Sequence, residues 1–401
     1  MKIVEINGTN YSSTGNIMNN ITIEARNNGF EVFTCCKKSK KSEEFKNNNQ
    51  IFIGSRYERI ISELLAYVTG YQNSFNYFGT KAFIKKLKKI KPDLLHLHIM
   101  HDTYINLELL FKYIKEEKIP VVWTFHDCWA FTGRCPYFDM VNCDKWITGC
   151  HNCEQLDKYP ATKSDKSKYL WNKKKRLFSN IENMTIVTPS LWLNNLVAKS
   201  FMANYNRRVI NNGIDLDKFK QKESSFKKKN HLNDKKIILG ISFNWTERKG
   251  LNDFIELSKR LSDEYQIVLV GTNDEIDKRI PSNIMSIHKT YNQDELIDIY
   301  NSADVFVNPT KEENFPTVNI EALACGTPVI TYQTGGSVEI IDNSCGSIVE
   351  KGNVDALYKE IIRVCKEKVY STEDCIERAK NFDCKKKYNE YVELYKEILV
   401  K

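Results

Sequence analysis

The sequence predicts an α/β protein with two Rossmann-like, doubly wound parallel sheets arranged in series. Short apolar segments typical of buried strands alternate with longer segments of helical spacing, which is the pattern of a parallel sheet covered by helices. A length of 401 residues favours two domains over one. Hydrophobic residues make up 41% of the chain and charged residues 27%, a composition typical of globular proteins rather than disordered ones.

The first half of the chain contains five predicted strands. They are expected at residues 2–6, 30–35, 93–98, 120–125 and 184–187. The first strand runs into a turn at Gly8 and then a polar loop. Apolar residues recur at helical spacing over 17–25 and again over 105–117, so helices are predicted there.

The second half repeats this alternation. Strands are expected at residues 236–242, 266–271, 285–287, 305–307 and 328–332. We therefore predict a first domain at 1–200, with an inserted cysteine-rich loop at about 128–156, and a second domain at 208–384. The amphipathic pattern of 385–401 predicts a C-terminal helix that packs back towards the first domain.

Composition limits where the protein can reside and what it can bind. No run approaches the roughly 18 apolar residues that a membrane-spanning helix needs, and residues 1–8 do not resemble a signal peptide. We therefore expect a cytoplasmic protein whose 12 cysteines are mostly free thiols. The net charge of +8 is compatible with binding to nucleic acid, an anionic membrane or phosphorylated substrates.

The most informative segment, 312–330, joins a strand to a short helix and then to another strand. Glu313 lies in the loop, Pro316 begins the helix and Glu321 lies in its second turn. The free N–H groups at such a helix start, beyond the carboxyl end of a parallel strand, suit a diphosphate. The two carboxylates can accept hydrogen bonds from sugar and ribose hydroxyls.

This segment resembles the glutamate pair of retaining glycosyltransferases of the GT4 family, which have the two-domain GT-B fold. Glu313 and Glu321 fall on the two motif positions, and the resemblance extends over nearly the whole chain, including the loop around Lys249. It implies a nucleotide-sugar donor, either a UDP- or a GDP-sugar, and a saccharide acceptor. The chain departs from many relatives at Pro316, where they carry Gly, and at Asn244, where they carry Arg.

The resemblance also implies roles for individual residues. Donor contacts are expected from Gly15, Asn244, Phe315, Thr317, Val318, Glu321, Gly335 and Gly336. Arg248, Lys249 and the helix N-terminus would stabilise the charge that builds on the leaving diphosphate, so no catalytic metal is expected. Glu313 would position the sugar while the acceptor hydroxyl attacks from the face that the leaving group vacates. A double displacement with Glu313 as the nucleophile is the alternative.

His126 follows the strand predicted at 120–125, at a carboxyl end expected to face the cleft between the domains. It is similar to a cleft histidine of the family, and a neutral imidazole there can hydrogen-bond the donor sugar or the acceptor hydroxyl. His96 and His98 share one face of a strand, where packed core histidines are the simpler interpretation, and His101 is left open.

Four cysteines in the insertion, Cys135, Cys143, Cys150 and Cys153, have a spacing that suits tetrahedral zinc. A structural zinc would tie down a loop that has few apolar residues of its own. The alternatives are four unligated thiols, a redox pair at Cys150 and Cys153, and an iron–sulfur cluster. The segment from His126 to Cys153 looks like a subgroup of bacterial GT4 enzymes that build capsule, exopolysaccharide and O-antigen repeat units.

Basic and aromatic residues are interleaved over 163–178 in the pattern of a basic amphipathic helix. One interpretation is a solvated face over a packed apolar one. The other is peripheral docking on the anionic inner face of the cell membrane, with Trp171 and Phe178 as an aromatic wedge and the lysines at 173–175 near the headgroups. Since the resemblance points to repeat-unit assembly, the expected acceptor is a polyprenyl-diphosphate-linked saccharide.

Two other functions fit parts of the sequence. A GT-B-like nucleotide-sugar epimerase would need acid and base groups over a single bound sugar, and the motif of Glu313 and Glu321 argues against it. A zinc-containing nucleic-acid-binding protein would account for the positive charge and the cysteine cluster. The aromatic residues do not cluster as a base-stacking platform, however, so no nucleic acid partner is expected.

Overall fold

The computed structural model describes residues 1–400, which form two α/β units. Unit 1 comprises residues 1–211 together with the C-terminal residues from Lys385 onward, and unit 2 comprises residues 212–384. The strands of each sheet pair in parallel, seven in unit 1 and six in unit 2. The prediction of two doubly wound parallel-sheet domains is confirmed.

Unit 1 is built from seven strands and nine helices in the described residues. The strands are β1 Lys2–Ile6, β2 Glu31–Lys37, β3 Gln50–Ile53, β4 Leu94–Leu97, β5 Val121–Thr124, β6 Met184–Thr188 and β7 Asn206–Val209. The helices that precede unit 2 are α1 Ser12–Asn27, α2 Lys40–Glu44, α3 Arg56–Thr69, α4 Tyr77–Ile90, α5 Leu107–Glu117, α6 Lys145–Thr148, α7 Ser167–Phe178 and α8 Leu191–Val197. The sheet order is β3-β2-β1-β4-β5-β6-β7.

The central strands of this sheet are apolar because helices cover both faces. Strands β4, β5 and β6 are buried at every residue, which is typical of parallel sheets. The edge strand β3 is only partly buried and was not predicted, because a half-exposed strand lacks the continuous apolar run of a buried one.

The register of the central strands sets which residues meet at the carboxyl edge of the sheet. Ile6 of β1 lies beside Leu97 of β4, and Leu97 lies beside Trp123 of β5. Residues that follow these positions, including His98 and His126, therefore emerge at the same edge. This is the edge at which open α/β sheets bind ligands.

Unit 2 contains six strands and eight helices in the described residues. The strands are β8 Lys236–Ile241, β9 Tyr265–Val270, β10 Ile284–Ile287, β11 Val305–Asn308, β12 Val329–Tyr332 and β13 Gly346–Val349. The helices are α9 Phe226–Lys229, α10 Leu251–Arg260, α11 Asp274–Asp277, α12 Gln293–Ser302, α13 Thr317–Ala324, α14 Ser337–Ile340, α15 Val354–Glu367 and α16 Thr372–Ala379.

The sheet order of unit 2 places its reversal point between β8 and β11. The order is β10-β9-β8-β11-β12-β13, so the chain winds in one direction from β8 and in the other from β11. Loops that follow these two strands lie next to each other at the carboxyl edge, which is where ligands of doubly wound sheets bind. The loop after β8 carries Lys249, and the loop after β11 carries Glu313.

The last helix, α17 (Cys384–Leu399), returns to unit 1 from Lys385 onward. Three of its tyrosines are buried there: Tyr388, Tyr391 and Tyr395. The hydroxyl of Tyr395 lies 2.6 Å from Nδ1 of His96, so this helix reaches the core of the unit 1 sheet.

The prediction that Trp171 and Phe178 of segment 163–178 form an aromatic wedge in a membrane is wrong. Trp171 and Phe178 are buried in the core of unit 1, where neither ring can act as a wedge in a bilayer. Lys173 and Lys174 are also buried, and Lys174 donates hydrogen bonds to the backbone carbonyls of Trp129 and Thr132. Among the helices of residues 1–400, none has the length and apolar character to cross a membrane.

Candidate active site

The candidate site of unit 2 is built on two loops that are joined by hydrogen bonds to backbone carbonyls. The N–H of Lys311 donates to the carbonyl of Arg248 at 2.8 Å, and Arg248 Nη1 donates to the carbonyl of Glu312 at 3.0 Å. Gly250 ends the first loop with a φ of +77°, and a Cβ there would lie 2.5 Å from the carbonyl oxygen of Pro309. Only glycine allows this close approach of the two loops.

An ion pair between Lys249 and Glu313 occupies the centre of this site. Lys249 Nζ donates to Glu313 Oε2, and the side chains are only 23% and 13% exposed. Burial alone would raise the pKa of Glu313, but the charges of Lys249 and Arg248 hold it below its usual value. Glu313 is therefore ionised at neutral pH, and it also accepts a hydrogen bond from the N–H of Asn314 at 3.1 Å.

The N-terminus of α13 lies immediately after this ion pair in the chain. The cap position is Pro316, whose side chain makes no capping hydrogen bond, and Thr317 is the first helical residue. The first N–H groups of a helix have no partner within the helix and carry a partial positive charge. Together with Lys249 and Arg248, they have the charge and the free donors that suit an anion.

Glu321 is oriented by a side chain of the preceding helix, α12. The buried hydroxyl of Tyr300, on α12, donates to Glu321 Oε2 at 2.9 Å. Burial raises the pKa of Glu321 above its usual value, although hydrogen bonds from Tyr300 and Thr317 oppose this shift. The carboxyl group is thus held in one orientation by Thr317, which was predicted as a donor contact, and by Tyr300, which was not.

The turn at Gly335 and Gly336 is attached to the same site. Gly335 has a φ of +51°, and the N–H of Gly336 donates to the carbonyl of Asn314 at 2.8 Å. The hydroxyl oxygens of Thr334 and Ser337 are buried with no hydrogen-bond partner among residues 1–400. Buried hydroxyls normally find partners, so these two are candidates for ligand contact.

The other predicted donor residues are placed differently. Asn244 is exposed in the loop after β8, where its N–H donates to Ser242 Oγ at 3.3 Å. Phe315 is buried and its ring lies 5.7 Å from that of Phe382, so its side chain belongs to the core. Val318 is half-buried on α13, and its carbonyl oxygen accepts from the Tyr300 hydroxyl at 3.4 Å.

In unit 1, His126 lies at the carboxyl edge of the sheet and contacts a second histidine. Its Nε2 is 3.1 Å from Nδ1 of His98, and the two rings stack with centroids 5.4 Å apart. Burial lowers the pKa of His126 to about 4 and also lowers the pKa of His98. Both imidazoles are therefore neutral at physiological pH, so one donates to the other.

A cluster of charged side chains borders this pair and was not predicted. His101 Nε2 lies 3.0 Å from Asp127 Oδ2, and Lys37 Nζ lies 3.0 Å from Asp102 Oδ2. Burial would lower the pKa of His101, but Asp127 and Asp102 raise it to about 9. Tyr159 donates to Asp102 and contacts His101 Nδ1 at 3.0 Å. His101 is therefore a buried cation between two carboxylates.

Gly15 lies in the first turn of α1, at the amino end that follows β1. The residue is buried, and a Cβ there would lie 2.7 Å from the backbone carbonyl carbon of Asn10. The loop before α1 can therefore fold against the helix only if this position is glycine.

The four cysteines of the insertion line one pocket together with Arg134 and Lys145. They are Cys135, Cys143, Cys150 and Cys153. Burial raises the pKa of Cys150 to about 11, although its sulfur accepts a hydrogen bond from the N–H of Gly133. The groups of three potential metal ligands within 4.8 Å of one another in residues 1–400 are Glu5–His96–His98 and Asp274–Asp277–His288, which do not include these cysteines.

The fold and the position of the unit 2 site define a protein of the GT-B class, with two parallel-sheet α/β units. A family profile described as Glycosyltransferase Family 4 matches residues 15–218, and a profile described as Glycosyl transferases group 1 matches residues 222–382. The first match covers just over half of the chain, so the chain belongs to Glycosyltransferase Family 4. The predicted membership of a GT-B glycosyltransferase family is confirmed, whereas the retaining mechanism and the subgroup with a cysteine-rich insertion stay predictions.

Individual relatives are distant. The chain is 26% identical over 273 residues to the putative colanic acid biosynthesis glycosyl transferase WcaC of Escherichia coli K12, covering 66% of this chain and 65% of the relative. It is 30% identical over 142 residues to the N,N'-diacetylbacillosaminyl-diphospho-undecaprenol alpha-1,3-N-acetylgalactosaminyltransferase of Campylobacter jejuni, covering 33% of this chain and 37% of the relative. The chain thus spans less than two thirds of the length of either relative.

A solved structure supports the fold over the whole length. The structure of Anabaena HepE in complex with UDP matches with a TM-score of 0.70 at 14% identity, covering 99% of this chain and 100% of that one. At this identity the likeness concerns the fold alone.

Proposed function

We propose that the protein is a retaining glycosyltransferase of bacterial surface polysaccharide assembly. It would move a sugar from a UDP- or GDP-sugar to a saccharide acceptor. The observation that carries this proposal is the Lys249–Glu313 ion pair beside the uncapped N-terminus of α13, at the reversal point of the unit 2 sheet. Family membership and relatives named for colanic acid and O-antigen biosynthesis also support it.

Lys249, Arg248 and the N-terminus of α13 would bind the diphosphate of the donor. When the bond between the sugar and the phosphate oxygen breaks, the electron pair stays on that oxygen, and nearby positive charge stabilises it. The acceptor oxygen forms its bond to the same carbon from the same face, and its proton passes to the departing phosphate oxygen. Glu313 would hold the sugar by accepting hydrogen bonds from its hydroxyls, as an ionised carboxylate can.

Glu321 would bind the ribose of the nucleotide. The Tyr300 hydroxyl already holds one carboxyl oxygen, so the group is preorganised to accept from a ribose hydroxyl. Ribose binding places the diphosphate without taking part in bond cleavage, so this residue is a binding group rather than a catalytic one.

His126 would hydrogen-bond either the donor sugar or the acceptor hydroxyl. Its low pKa keeps the imidazole neutral, so it can bind a hydroxyl without adding charge beside the oxocarbenium-like transition state. The His98 contact would hold the ring in place.

The acceptor would be a saccharide carried on a polyprenyl diphosphate at the cytoplasmic face of the membrane. The name of the Campylobacter jejuni relative includes a diphospho-undecaprenol substrate, which supports this acceptor class. Its alignment covers a third of this chain, so the support is for the class and not for the individual sugar.

Zinc would be a structural component of the insertion in unit 1. Support comes from the four cysteines that line a single pocket, since four sulfur ligands complete a tetrahedral zinc site. Four sulfurs at about 2.3 Å from zinc lie about 3.8 Å from one another, so the loop would have to contract around the ion. Metal analysis should find about one zinc per chain, and Cys150→Ser with Cys153→Ser should remove it. Metal-free protein with unchanged melting would reject this component.

Thermal shift against a panel of nucleoside diphosphates and their sugars tests the proposed function. A ligand that binds only the folded state raises the melting temperature by mass action, so one base should stand out. Incubation of that nucleotide-sugar with a polyprenyl-linked saccharide, followed by NMR of the product, should show the anomeric configuration of the donor. Absence of any nucleotide-dependent shift, or inversion at the anomeric carbon, would contradict the proposal.

A further inference from the structure

Helix α3 buries small side chains and exposes large apolar ones, the reverse of an ordinary surface helix. The residues that it buries are small, Ser62 and Ala66, whereas large apolar side chains face outward. Leu64 is 62% exposed and Tyr57 is 81% exposed. A surface helix normally turns its large apolar side chains towards the core, so this arrangement indicates that something else covers them.

The exposed side chains form one continuous face. They are Tyr57, Ile60, Ile61, Leu64, Leu65 and Val68, here called the α3 face. Their spacing follows the helical repeat of three and four residues, so they lie side by side on the helix surface. Ser62 and Ala66 lie on the opposite side, against unit 1.

Hydrogen bonds at both ends of α3 fix the position of the α3 face. Ser55 Oγ accepts from the N–H of Glu58 at the start of the helix, and Gly70 ends it in the left-handed conformation. The carboxylate of Glu58 accepts from the N–H groups of Phe78 and Gly79, at 3.0 and 2.9 Å. Phe78, which is 78% exposed, is therefore fixed at the N-terminus of α4 next to α3.

Basic and tyrosine side chains surround the α3 face. Lys163 lies 5.7 Å from the ring of Tyr67, and Lys81 lies 4.3 Å from the ring of Tyr77. Residues 56–81, which hold α3 and the start of α4, contain three basic and two acidic residues, and Lys166 lies 5.2 Å from the ring of Tyr71 just after α3. Of the two acidic residues, Glu58 is engaged with backbone N–H groups and Glu63 pairs with an arginine of the same helix. The surroundings of the face thus carry excess positive charge.

We propose that the α3 face and Phe78 insert into the interfacial layer of an anionic lipid bilayer. Apolar side chains would enter the acyl boundary, and the lysines and tyrosines around them would meet the headgroups, as in interfacial helices. Charge complementarity favours anionic lipid over a second copy of this chain, because two copies would bring like charges together. The proposal does not depend on the transfer reaction, and it concerns a different surface from the one predicted on α7.

Vesicle sedimentation tests this proposal with the full-length protein. Wild type should bind vesicles of equal parts phosphatidylglycerol and phosphatidylcholine, bind pure phosphatidylcholine weakly, and lose binding at high salt. Ile61→Ser/Leu64→Ser/Val68→Ser should lower the partition coefficient at least tenfold, because each substitution removes an apolar side chain from the bilayer. Lys81→Glu/Lys163→Glu should weaken binding to the anionic vesicles more than to the neutral ones.

The controls separate this surface from general stickiness and from folding. Tyr291→Ser/Ile348→Ser removes exposed apolar side chains from unit 2 and should bind like wild type. Nucleoside diphosphate binding and the melting temperature should be unchanged in the α3 variant, because its substituted side chains are exposed. Equal vesicle binding by wild type and the α3 variant would overturn the proposal, as would wild type that binds no vesicles. A wild-type dimer that the α3 variant abolishes would assign the face to a second copy instead.

Discussion

The carboxyl edges of the two sheets differ in charge. In unit 2 the edge holds Lys249, Arg248 and an uncapped helix N-terminus, with Glu313 as the counter-charge. In unit 1 the edge holds a neutral histidine pair, His98 and His126. The same sheet topology therefore supports an anion site in one unit and a neutral hydrogen-bonding site in the other.

The two edges suit different parts of a nucleotide-sugar because they differ in charge. A diphosphate needs positive charge that is already in place, whereas sugar and acceptor hydroxyls need donors and acceptors that add no net charge. Two cations near this edge of unit 1 are held in ion pairs, His101 with Asp127 and Lys37 with Asp102. We therefore propose that unit 2 binds the leaving group and that unit 1 provides a hydroxyl contact.

The largest effect is expected from Lys249→Ala. It removes a positive charge from the leaving diphosphate and should lower kcat by about 10²–10³-fold. Steady-state kinetics with a saturating donor measures this loss. Lys227→Ala is the matched control, because it breaks an ion pair with Asp304 in the same unit and should leave kcat unchanged. Equal kcat for Lys249→Ala and wild type would show that the charge of Lys249 does not stabilise the leaving diphosphate.

Glu321→Ala should weaken nucleotide binding by about ten- to a hundredfold, because the ribose hydroxyl loses the carboxyl group that binds it and is left unsatisfied. Tyr300→Phe removes only the hydroxyl that orients Glu321, so its effect should be smaller, about threefold. Titration calorimetry with the preferred nucleoside diphosphate measures both. A larger loss of affinity in Tyr300→Phe than in Glu321→Ala would show that Glu321 is not the group that binds the nucleotide.

His126→Asn keeps a hydrogen-bonding side chain and should lose about tenfold in kcat/KM, the value of one such contact. The pKa of His126 lies near 4, so it stays neutral from pH 5 to pH 8. Wild type and variant should therefore show parallel pH profiles over this range. An inflection near pH 6.5 in wild type that the variant lacks would mean that His126 titrates and that the edge of unit 1 is not neutral.

The smallest effect concerns stability. The pKa of His101 is raised to about 9 in the folded protein, above its unfolded value of about 6.5. Its contribution to stability is therefore complete below pH 6.5 and is lost as the pH rises through 9. The melting temperature of wild type should fall over this interval more than that of His101→Gln. Identical slopes for the two proteins would exclude a buried imidazolium.

The part of the unit 2 candidate site on residues 312–330 could be predicted because its residues are nearly consecutive, whereas its ion pair with Lys249 joins residues 64 positions apart. Glu313, Pro316 and Glu321 lie within one strand–loop–helix segment, so local rules place them. The contact of His98 with His126 joins residues 28 positions apart and depends on the pairing of β4 with β5. Tyr395 reaches His96 across 299 positions, a contact that no local pattern contains.

Helices α3 and α7, which both carry basic and apolar residues, show a second limit of prediction from sequence. Periodicity indicates that a helix is amphipathic, but it does not say whether its apolar face meets the core or faces outward. Helix α7 buries Trp171 and Phe178, and even two of its lysines, whereas α3 exposes its apolar face. The packing partners decide this, and they come from distant segments such as the strand that carries Trp123.

The roles of Glu313 and Glu321 can be separated by measuring nucleotide binding and turnover in the same variants. Calorimetric titration of the preferred nucleoside diphosphate into Glu313→Ala and Glu321→Ala gives the affinity, and an assay of sugar transfer gives the turnover. If unit 2 binds the nucleotide through Glu321 and the sugar through Glu313, Glu321→Ala loses affinity. Glu313→Ala should then bind the nucleoside diphosphate about as well as wild type, yet transfer little sugar. Wild-type affinity and turnover in both variants would contradict the assignment of the donor site to this edge.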